Sequence, residues 1–593
     1  MISRSSALVF LILSALMFAQ ASAPAFEEAS LLDEVNPEEL RSHTREITRY
    51  VRPSGSAGEF AAIDYIVKML RSDGIPVEVF EFPAYVSDPV SCSLRVDGAG
   101  GREITCLTQA LAAPTEGDGV SGEIVDCGKG SSEDYAKTRV QGKIALVDGL
   151  PYPWGVQAAE KAGAIGAIFV AASERIHELT VSPIWGTPSH KDHTELPSIP
   201  SAAIRKSDGQ GLRKASESGA VRVRLQTEVD TGWRPLRLAL ASIRSGKDPE
   251  GFVLLGGHID AWHYGANDEG ASNAAMLEIA RIFYRHRDEL ERGLKVAWWP
   301  GHSNGRYAGS TWFVDSFWTD LRENALAYMN VDGLGQMEAS VYRAASTAEM
   351  DRLAQAVFTD VAQVDVEPHR PGRNSDQSFY GVGLPLLQFD HRRTDGNWGY
   401  WWWHTPEDTF DKVDFDILAG DTRLYVAALH RLLSRPVPPI HVSAATAELK
   451  RLLEGREKTA GSHLDLTAAL ERARRLHTLA LTLDEKIEHG STGSLAPSEF
   501  SRRMVRVLRP ILRMTYQEKG PYHQDPALPV PTLPGLAALD SLAKLDPQGN
   551  LYGFTRAYLL RERNRVLDHL EQAIEEAETL ARKLTSSTSN RTR

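Results

Sequence analysis

Near-continuous apolar runs alternate with amphipathic stretches between about residue 235 and residue 436. The runs are GFVLLGG, LKVAWW, ALAYMNV and LPLLQF, each about five to seven residues long. Strands that are apolar on both faces are typical of a sheet covered by helices on both sides. The pattern therefore predicts an α/β fold with a mostly parallel sheet flanked by helices, whose main part is residues 233–436.

The region before this sheet contributes two more elements of the same kind. An amphipathic helix, GEFAAIDYIVKMLRSDG, is followed by a turn and the apolar strand VEVFEF. We assign residues 30–116 to the N-terminal part of the α/β domain.

Residues 117–232 have a different pattern. Short β-branched runs, GKIALVDG and AIGAIFVAA, are separated by the Ala/Gly-rich helix VQAAEKAG and followed by LPSIPSAAI and VRVRLQT. Short strands with many Gly and Pro turns predict an inserted mixed β/α domain.

The C-terminal region, residues 437–593, has helical periodicity. Apolar side chains recur at three- and four-residue steps, in one stripe of Leu466, Leu470, Ala473, Leu476, Ala480, Leu483 and Ile487 and another of Leu567, Leu570, Ile574, Ala577, Ala581 and Leu584. We expect a helical bundle whose stripes form a core or a dimer seam rather than a ligand site.

Composition narrows the possible partners. The 593-residue chain is 42% apolar and 24% charged, as expected of a folded globular protein, and its net charge of −12 argues against a nucleic-acid partner. The N-terminus has one Arg, an apolar run from Ala7 to Ala19 and then Ala19-Gln20-Ala21. This is typical of a signal peptide over residues 1–21, and an uncleaved anchor is the alternative. We expect an exported protein, periplasmic or secreted, with no stable membrane span after cleavage.

The three cysteines do not form a disulfide framework. Cys92 and Cys106 flank the turn-rich DGAGGR and could face each other across a hairpin, and in an exported protein they could be bridged. Cys127 would then be a buried free thiol.

Metal-competent side chains follow four of the apolar runs. His258 and Asp260 follow the first, His302 the second and Asp332 the third, and Asp390 with His391 follows the fourth. Because ligands bind beyond the carboxyl ends of parallel strands, we expect these residues to meet in one crevice. Asp260 is placed to orient His258, since a ligating imidazole usually has its second nitrogen held by a carboxylate.

Two loops add further candidates. Asp268 lies in a Gly-flanked loop before an amphipathic helix that starts near Ala271. Its spacing fits two roles equally well, a metal ligand or the N-terminal cap of that helix. His404 follows four aromatics, and Trp401 to Trp403 could line an apolar pocket. Two His and two Asp are a typical set of zinc ligands, here His258, His404, Asp268 and Asp332, and one Asp could bridge two ions. We expect one or two zinc ions and hydrolytic chemistry.

GGHIDAWHYGANDEGAS, AYMNVDGLG and HTPEDTFDKVD resemble the three ligand motifs of the zinc-dependent M28 peptidases. GKIALVDG with AEKAGAIGAIFV resembles the protease-associated (PA) domain, and the helical C-terminus is similar to the dimerisation domain of the carboxypeptidase II and transferrin receptor branch. The resemblance implies that His258 and Asp332 bind the first metal, that Asp268 bridges both metals, and that His404 binds the second. It also implies a cis peptide after Asp268, and a possible homodimer through the helical domain.

The chain departs from the family at WWPGHSNGRYAGS, residues 298–310, which holds no acid. The family has a Glu-Glu pair here, the general base followed by a ligand of the second metal. The pair falls on His302 and Ser303 when the shared Gly is aligned, and on Ser303 and Asn304 when the alignment starts from Gly309.

Three hypotheses follow from this departure. His302 binds the second metal in place of the Glu, or His302 is itself the base at a one-zinc site, or catalysis is lost and the fold is a binding scaffold of transferrin receptor type. We favour an exported, aminopeptidase-like exopeptidase that hydrolyses peptides, with a metal site remodelled around His302. Whether the amino or the carboxyl end of a peptide is attacked stays open, and basic side chains near the strand ends could hold a substrate carboxylate: Arg306, Arg373, Arg392 and Arg393.

Overall fold

The backbone is organised around a long sheet, which a computed structural model describes within residues 27–98, 101–394, 400–489 and 492–585. The predicted signal peptide, residues 1–21, lies outside the described residues. The strands are β1 Val77–Val96, β2 Glu103–Ile104, β3 Cys106–Thr108, β4 Val120–Asp126, β5 Ile144–Asp148, β6 Gly166–Val170, β7 Ser201–Ile204, β8 Arg222–Ile243, β9 Phe252–His258, β10 Gly293–Trp299, β11 Ala325–Asn330, β12 Val341–Ser346 and β13 Leu386–Arg392.

The strand order is β12-β13-β11-β9-β10-β8 on one side, continuing to β4-β5-β6-β7-β3 on the other. Strands β13, β11, β9 and β10 run parallel to their neighbours in this group, whereas β12 and β8 pair antiparallel at its borders. The four predicted apolar runs are these four parallel strands, and β9 and β11 are buried along their whole length. The predicted α/β fold is confirmed.

A long antiparallel ribbon joins the two parts of the sheet. Strand β1 pairs with β8 from Val77 opposite Ala241 to Val96 opposite Val223. The sequence pattern predicted only short pieces of this ribbon, VEVFEF and VRVRLQT. Exposed polar positions and the facing prolines Pro83 and Pro235 interrupt the apolar pattern, so the full length of both strands was missed.

The inserted domain contains the parallel strands β4, β5, β6 and β7, and β4 also pairs antiparallel with β8. At its edge Cys92 is bridged to Cys106, across a hairpin in which Leu94 pairs with Ile104. Cys127 is free and buried. The prediction for the three cysteines is confirmed.

Helices cover the sheet and make up the C-terminal region. They are α1 Glu28–Asp33, α2 Pro37–Ile47, α3 Ala57–Ser72, α4 Ser132–Lys137, α5 Pro153–Lys161, α6 Lys206–Glu217, α7 Ala271–Arg285, α8 Ala308–Ser316, α9 Trp318–Asn324, α10 Asp351–Val357, α11 Phe415–Leu433, α12 Val442–Ala460, α13 Thr467–Glu488, α14 Pro497–Tyr516, α15 Leu539–Leu542 and α16 Asn550–Thr585. Short 3-10 and π-helical turns lie between these helices.

The apolar stripes of the C-terminal region are core. Leu470 and Leu476 on α13 and Leu570 and Ile574 on α16 are buried, in the same hydrophobic cluster as strand β9. The helical region therefore packs onto the α/β domain. Within the described ranges, no helix has both the length and the apolar character needed to cross a membrane.

Candidate metal centre

Three strand ends converge on one crevice. His258 is the last residue of β9, His302 comes shortly after β10, and Asp332 comes shortly after β11. Each of the three offers one ligand atom, and these atoms lie within 4.8 Å of one another. The sequence-predicted meeting of these side chains at the carboxyl ends of parallel strands is therefore observed.

The fourth strand contributes nothing to this group. Asp390 and His391 lie inside β13 rather than beyond it. Asp390 pairs with Arg392 at 3.2 Å, and His391 Nδ1 lies 3.0 Å from a carboxylate oxygen of Asp421. Both side chains have structural partners, so the expectation that four strand ends share the crevice holds for three.

Asp260 organises the turn that carries His302. Its Oδ1 accepts the backbone N–H of His302 at 3.0 Å, and its Oδ2 accepts the N–H of Ser303 at 2.8 Å and the hydroxyl of Ser54 at 2.9 Å. The main-chain carbonyl of Asp260, not its carboxylate, accepts a hydrogen bond from His258 Nδ1 at 2.8 Å. The carboxylate lies 3.8 Å from that nitrogen. Asp260 therefore orients His258 as predicted, but through a different atom, because its carboxylate is used by the 302–303 turn.

His302 is held by a residue that sequence reasoning missed. Its Nδ1 lies 2.8 Å from Asp376 Oδ2, and Asp376 also accepts the Ser310 hydroxyl at 2.7 Å. Because a carboxylate accepts this bond, Nδ1 carries a proton, and Nε2 is the ring nitrogen that Asp376 does not engage. The imidazole stacks on His258 with ring centroids 3.8 Å apart. Asp376 lies in the loop GRNSDQS, which has no periodic pattern that would have marked it.

Asp268 lies between two histidines. Its Oδ1 is 3.6 Å from His258 Nε2, and its Oδ2 is 3.3 Å from His404 Nε2. The peptide bond from Asp268 to Glu269 is cis, as the resemblance implied. Helix α7 begins after this turn and has no side-chain cap, so the alternative role of Asp268 as a helix cap is wrong. Each oxygen of this carboxylate faces one imidazole, which is the placement of a bridging ligand.

Glu269 is the second residue that the sequence analysis did not single out. Its side chain is fully buried, and one ligand atom each from His258, Asp268, Glu269 and Asp332 lies within 4.8 Å of the others. Its Oε2 accepts the backbone N–H of Gly333 at 2.7 Å. The signal available in the sequence was the adjacent pair Asp-Glu in GANDEGAS, of which only the Asp was assigned a role.

His404 is positioned by the inserted domain. Its Nδ1 donates to the carbonyl of Glu178 at 2.6 Å, and the Glu178 N–H donates to the carbonyl of His404 at 3.2 Å. Glu178 also forms an ion pair with His263 at 3.0 Å. Among the described residues, His404 is not part of any group of three metal-competent side chains within 4.8 Å. It reaches the centre only through Asp268.

The three predicted tryptophans have three different environments. Trp403 lines the crevice and stacks on His404. Trp402 is fully buried and donates its indole N–H to Asn267 at 2.8 Å, and Trp401 is partly exposed, with Arg175 over its ring. The prediction that all three form a side-chain pocket is therefore wrong for Trp401 and Trp402.

Other aromatic side chains form the walls of the crevice, which has a volume of about 150 Å³ and includes Tyr152, Trp154, Trp262, Tyr307 and Tyr400. It adjoins a cavity of about 900 Å³. Arg306, Arg373 and Arg392 line the crevice, and Arg393 lines the larger cavity. Arg373 and Arg392 have acidic partners, Asp525 at 3.1 Å and Asp390 at 3.2 Å.

Buried charges of opposite sign shift the pKa values in the crevice. Burial and the neighbouring Asp332 raise the pKa of Glu269 well above its ordinary value. Burial alone would raise the pKa of Asp268 and lower that of His258, but the histidines next to Asp268 hold its pKa well below the usual range, and Asp268 raises the pKa of His258. The carboxylates therefore repel one another unless a positive charge lies among them.

The donor set fits zinc. Among the described residues, His258 Nε2 and Glu269 Oε1 are buried and have no hydrogen-bond partner, and both residues belong to the group of four. Imidazole nitrogen and carboxylate oxygen are the ligands that zinc binds in hydrolytic sites. The fold and the donor set define an α/β protein with a candidate metal centre at the carboxyl ends of its strands.

Comparison with known proteins identifies the two domains. Residues 240–427 match the family model described as Peptidase family M28, and residues 120–212 match the PA domain. The chain therefore contains a region that matches the M28 peptidase family and, before it, a region that matches the PA domain, as predicted, followed by a helical C-terminal region.

Relatives include both aminopeptidases and carboxypeptidases. The chain is 26% identical over 507 residues to the maize protein named Probable glutamate carboxypeptidase VP8, covering 69% of each. It is 23% identical over 398 residues to Aminopeptidase YwaD of Bacillus subtilis, covering 65% of this chain and 82% of that protein.

The solved structure of an aminopeptidase from Aneurinibacillus sp. strain AM-1 has the same fold. It superposes with a TM-score of 0.56 at 21% identity, covering 69% of this chain and 96% of that one. The zinc aminopeptidase BSAP from Bacillus subtilis gives a TM-score of 0.54 at 21% identity, covering 67% and 95%. These neighbours share the fold over about two thirds of this chain.

Proposed function

We propose that this protein is an exported, zinc-dependent exopeptidase that hydrolyses short peptides. The observation that carries the proposal is the convergence of His258, Asp268 and Asp332 in one crevice, with His258 Nε2 lacking a hydrogen-bond partner among the described residues. The M28 domain and the zinc aminopeptidases among its structural neighbours support the same chemistry.

The residues of the crevice have distinct roles in this proposal. His258, Asp268 and Asp332 hold zinc, and zinc in such a site polarises the scissile carbonyl and lowers the pKa of a water molecule. Asp260 keeps the 302–303 turn in place through its two backbone hydrogen bonds. The aromatic walls exclude bulk water, which strengthens electrostatic interactions inside the crevice.

His302 acts beside His258 and Asp332 rather than beside His404. Its ligand atom lies within 4.8 Å of those of His258 and Asp332. Asp376 holds the Nδ1 proton, so Nε2 is free either to bind zinc or to accept a proton from the attacking water. We propose one tightly held zinc ion, because His404 and Asp268 alone are a poor ligand set for a second.

The arginine-lined side of the crevice suggests how a short peptide lies. Arg373 and Arg392 line both the crevice and the larger cavity next to it. We propose that the free carboxylate of a short peptide lies on this side and its amino end in the aromatic crevice. This orientation suits an aminopeptidase acting on short peptides.

Export is part of the proposal. The N-terminal apolar run and the Cys92–Cys106 bridge both suit an oxidising compartment outside the cytoplasm. The mass of the N-terminal peptide of the mature protein tests this, and a chain that starts at Met1 in a soluble extract of cells would contradict it.

The test of the proposed function combines metal content and turnover. We expect about one zinc per chain by elemental mass spectrometry after dialysis against trace zinc, together with chelator-sensitive release of amino acids from di- and tripeptides. Zinc-free protein that cleaves no aminoacyl substrate would instead support the alternative, an inert binding scaffold of transferrin receptor type. A homodimer through the helical region stays a prediction, which the molar mass in solution tests.

A further inference from the structure

The buried Glu269 carboxylate has one oxygen with a partner and one without. Oε2 accepts the Gly333 N–H at 2.7 Å, whereas Oε1 has no hydrogen-bond partner among the described residues. The side chain is 0% exposed, so water from bulk solvent does not reach it. A buried oxygen without a donor costs free energy unless it has another use.

The unused oxygen belongs to a side chain at the metal centre. Glu269 is in the group of four whose ligand atoms lie within 4.8 Å of one another, with His258, Asp268 and Asp332. A Cβ placed on Gly257, the residue before His258, would lie 3.5 Å from Glu269 Oε1. This oxygen therefore lies close to strand β9, next to the residue that precedes His258.

We propose that Glu269 is a ligand of the one zinc ion, binding through Oε1 together with His258, Asp268 and Asp332. The inference rests on the proposed zinc-dependent function. Zinc binds nitrogen and oxygen ligands, and the four side chains, whose ligand atoms lie within 4.8 Å of one another, would hold one ion between them.

The charge of the site supports the same assignment. Asp268, Glu269 and Asp332 are three carboxylates in one enclosed group, and nearby Arg52 directs its guanidinium to main-chain carbonyls of Ile259, Tyr264 and Gly265 rather than to them. A divalent cation among the three would be the largest local charge and would stabilise them together. His302, which is outside this group of four, is then available for the proton of the attacking water.

A purely structural Glu269 is the competing explanation, in which the side chain only holds Gly333. Glu269→Gln separates the two, because its amide keeps an acceptor for the Gly333 N–H while the carboxylate charge is lost. A ligand role predicts weaker zinc binding and a zinc-free protein at least as stable as wild type. A structural role predicts unchanged zinc binding and a zinc-free protein close to wild type in stability, because the bond to Gly333 is kept.

Glu349→Gln is the matched control. Glu349 is also fully buried, one of its oxygens accepts the Thr347 hydroxyl, and its Oε2 has no partner among the described residues. It lies outside both groups of metal-competent side chains. The control therefore removes an equally buried carboxylate without touching the centre.

The experiment measures zinc affinity of the full chain by competition with a chromophoric chelator, and melting temperature with and without zinc. We expect Glu269→Gln to raise the zinc Kd by about 100-fold or more, beyond the roughly 10- to 100-fold cost of losing a residue that only orients a ligand, and to reduce the zinc-induced rise in Tm. Glu349→Gln is expected to change the Kd less than about twofold. The visible spectrum of cobalt-substituted protein should also change in Glu269→Gln and not in Glu349→Gln, since it reports the ligand set.

Two outcomes would overturn the proposal, and they are distinguishable. If wild type binds zinc and Glu269→Gln binds it equally well with an unchanged cobalt spectrum, Glu269 is not a ligand while the proposed function stands. If wild type binds no zinc, the proposed function fails and the ligand assignment fails with it. Should Glu269→Gln not fold, Glu269→Asp is measured in its place. It keeps the charge on a shorter side chain and is expected to weaken zinc binding by about tenfold, and wild-type affinity would overturn the assignment.

Discussion

The two sides of Asp268 are built in different ways. On one side His258 and Asp332 are held by the ends of parallel strands, and Glu269 is buried and accepts the N–H of Gly333, the residue after Asp332. On the other side His404 lies on a loop whose hydrogen bonds run to Glu178 of the inserted domain. The first side has several ligand atoms within 4.8 Å, and the second has His404 and one oxygen of Asp268.

This difference indicates a division of labour within the proposed site. Side chains on rigid strands keep their geometry when neighbouring loops move, which is what a tightly bound ion requires. A histidine held by an inserted domain follows the position of that domain, so its side of the crevice can respond to substrate. Substitutions on the two sides should therefore affect different quantities.

The largest expected effect is on the strand-held side. His258→Ala removes the nitrogen shared by both groups of candidate ligands, so we expect tightly bound zinc and peptide cleavage to be lost together. Elemental mass spectrometry measures the bound zinc, and a dipeptide assay measures the cleavage. His404→Ala is the comparison, and if it removed the zinc as completely as His258→Ala, the two sides would not differ as proposed.

His302→Ala is expected to have the next largest effect. Loss of a proton acceptor at this position should lower kcat/KM by about 10²- to 10⁴-fold. Asp376→Asn leaves the His302 ring in place but weakens the hydrogen bond to His302 Nδ1. We expect it to lower kcat/KM by about tenfold and to change the pH profile of kcat/KM. Unchanged zinc content and unchanged cleavage in His302→Ala would remove His302 from the mechanism.

Glu349, a buried side chain outside the metal centre, shows how burial disfavours the charged form of a carboxyl group that has no cation beside it. Burial raises the pKa of Glu349 from 4.5 to about 8. The folded state therefore binds a proton more tightly than the unfolded state, and stability is lost as pH rises from about 4.5 to about 8. Glu349→Gln should remove a slope of up to about 1.4 kcal/mol per pH unit in this window. Urea unfolding at several pH values measures it, and parallel curves for variant and wild type would show that Glu349 does not titrate there.

The smallest expected effect concerns the loop-held side. Glu178→Gln weakens the 3.0 Å ion pair to His263 while leaving the main-chain bonds to His404. We expect kcat/KM to fall by roughly two- to fivefold, because exposed and half-buried ion pairs contribute about 0.2–1 kcal/mol, and we expect tightly bound zinc to stay at the wild-type level. Loss of zinc in this variant would show that the inserted domain supports the strand-held side as well.

Much of the fold and of the donor set followed from local patterns. The four apolar runs predicted the parallel strands, because a strand buried on both faces has no polar positions. His258, His302 and Asp332 were predicted as neighbours, since the carboxyl ends of parallel strands lie at one edge of the sheet. The stripe that includes Leu470 and Leu476 predicted a buried helix for the same kind of reason, a period that matches the helical turn.

What only the tertiary structure decided involves contacts between distant parts of the chain. Three contacts join segments that no local sequence period relates. They are the hydrogen bond of His302 to Asp376, the hydrogen bond of His404 to Glu178, and the pairing of β1 with β8 along its length. Glu269 is next to Asp268 in sequence, yet its burial against Gly257 and Gly333 depends on strands β9 and β11. The residue types needed for a metal centre were therefore readable along the chain. Which carboxylate faces the centre depends on backbone geometry and long-range packing, which a one-dimensional pattern does not contain.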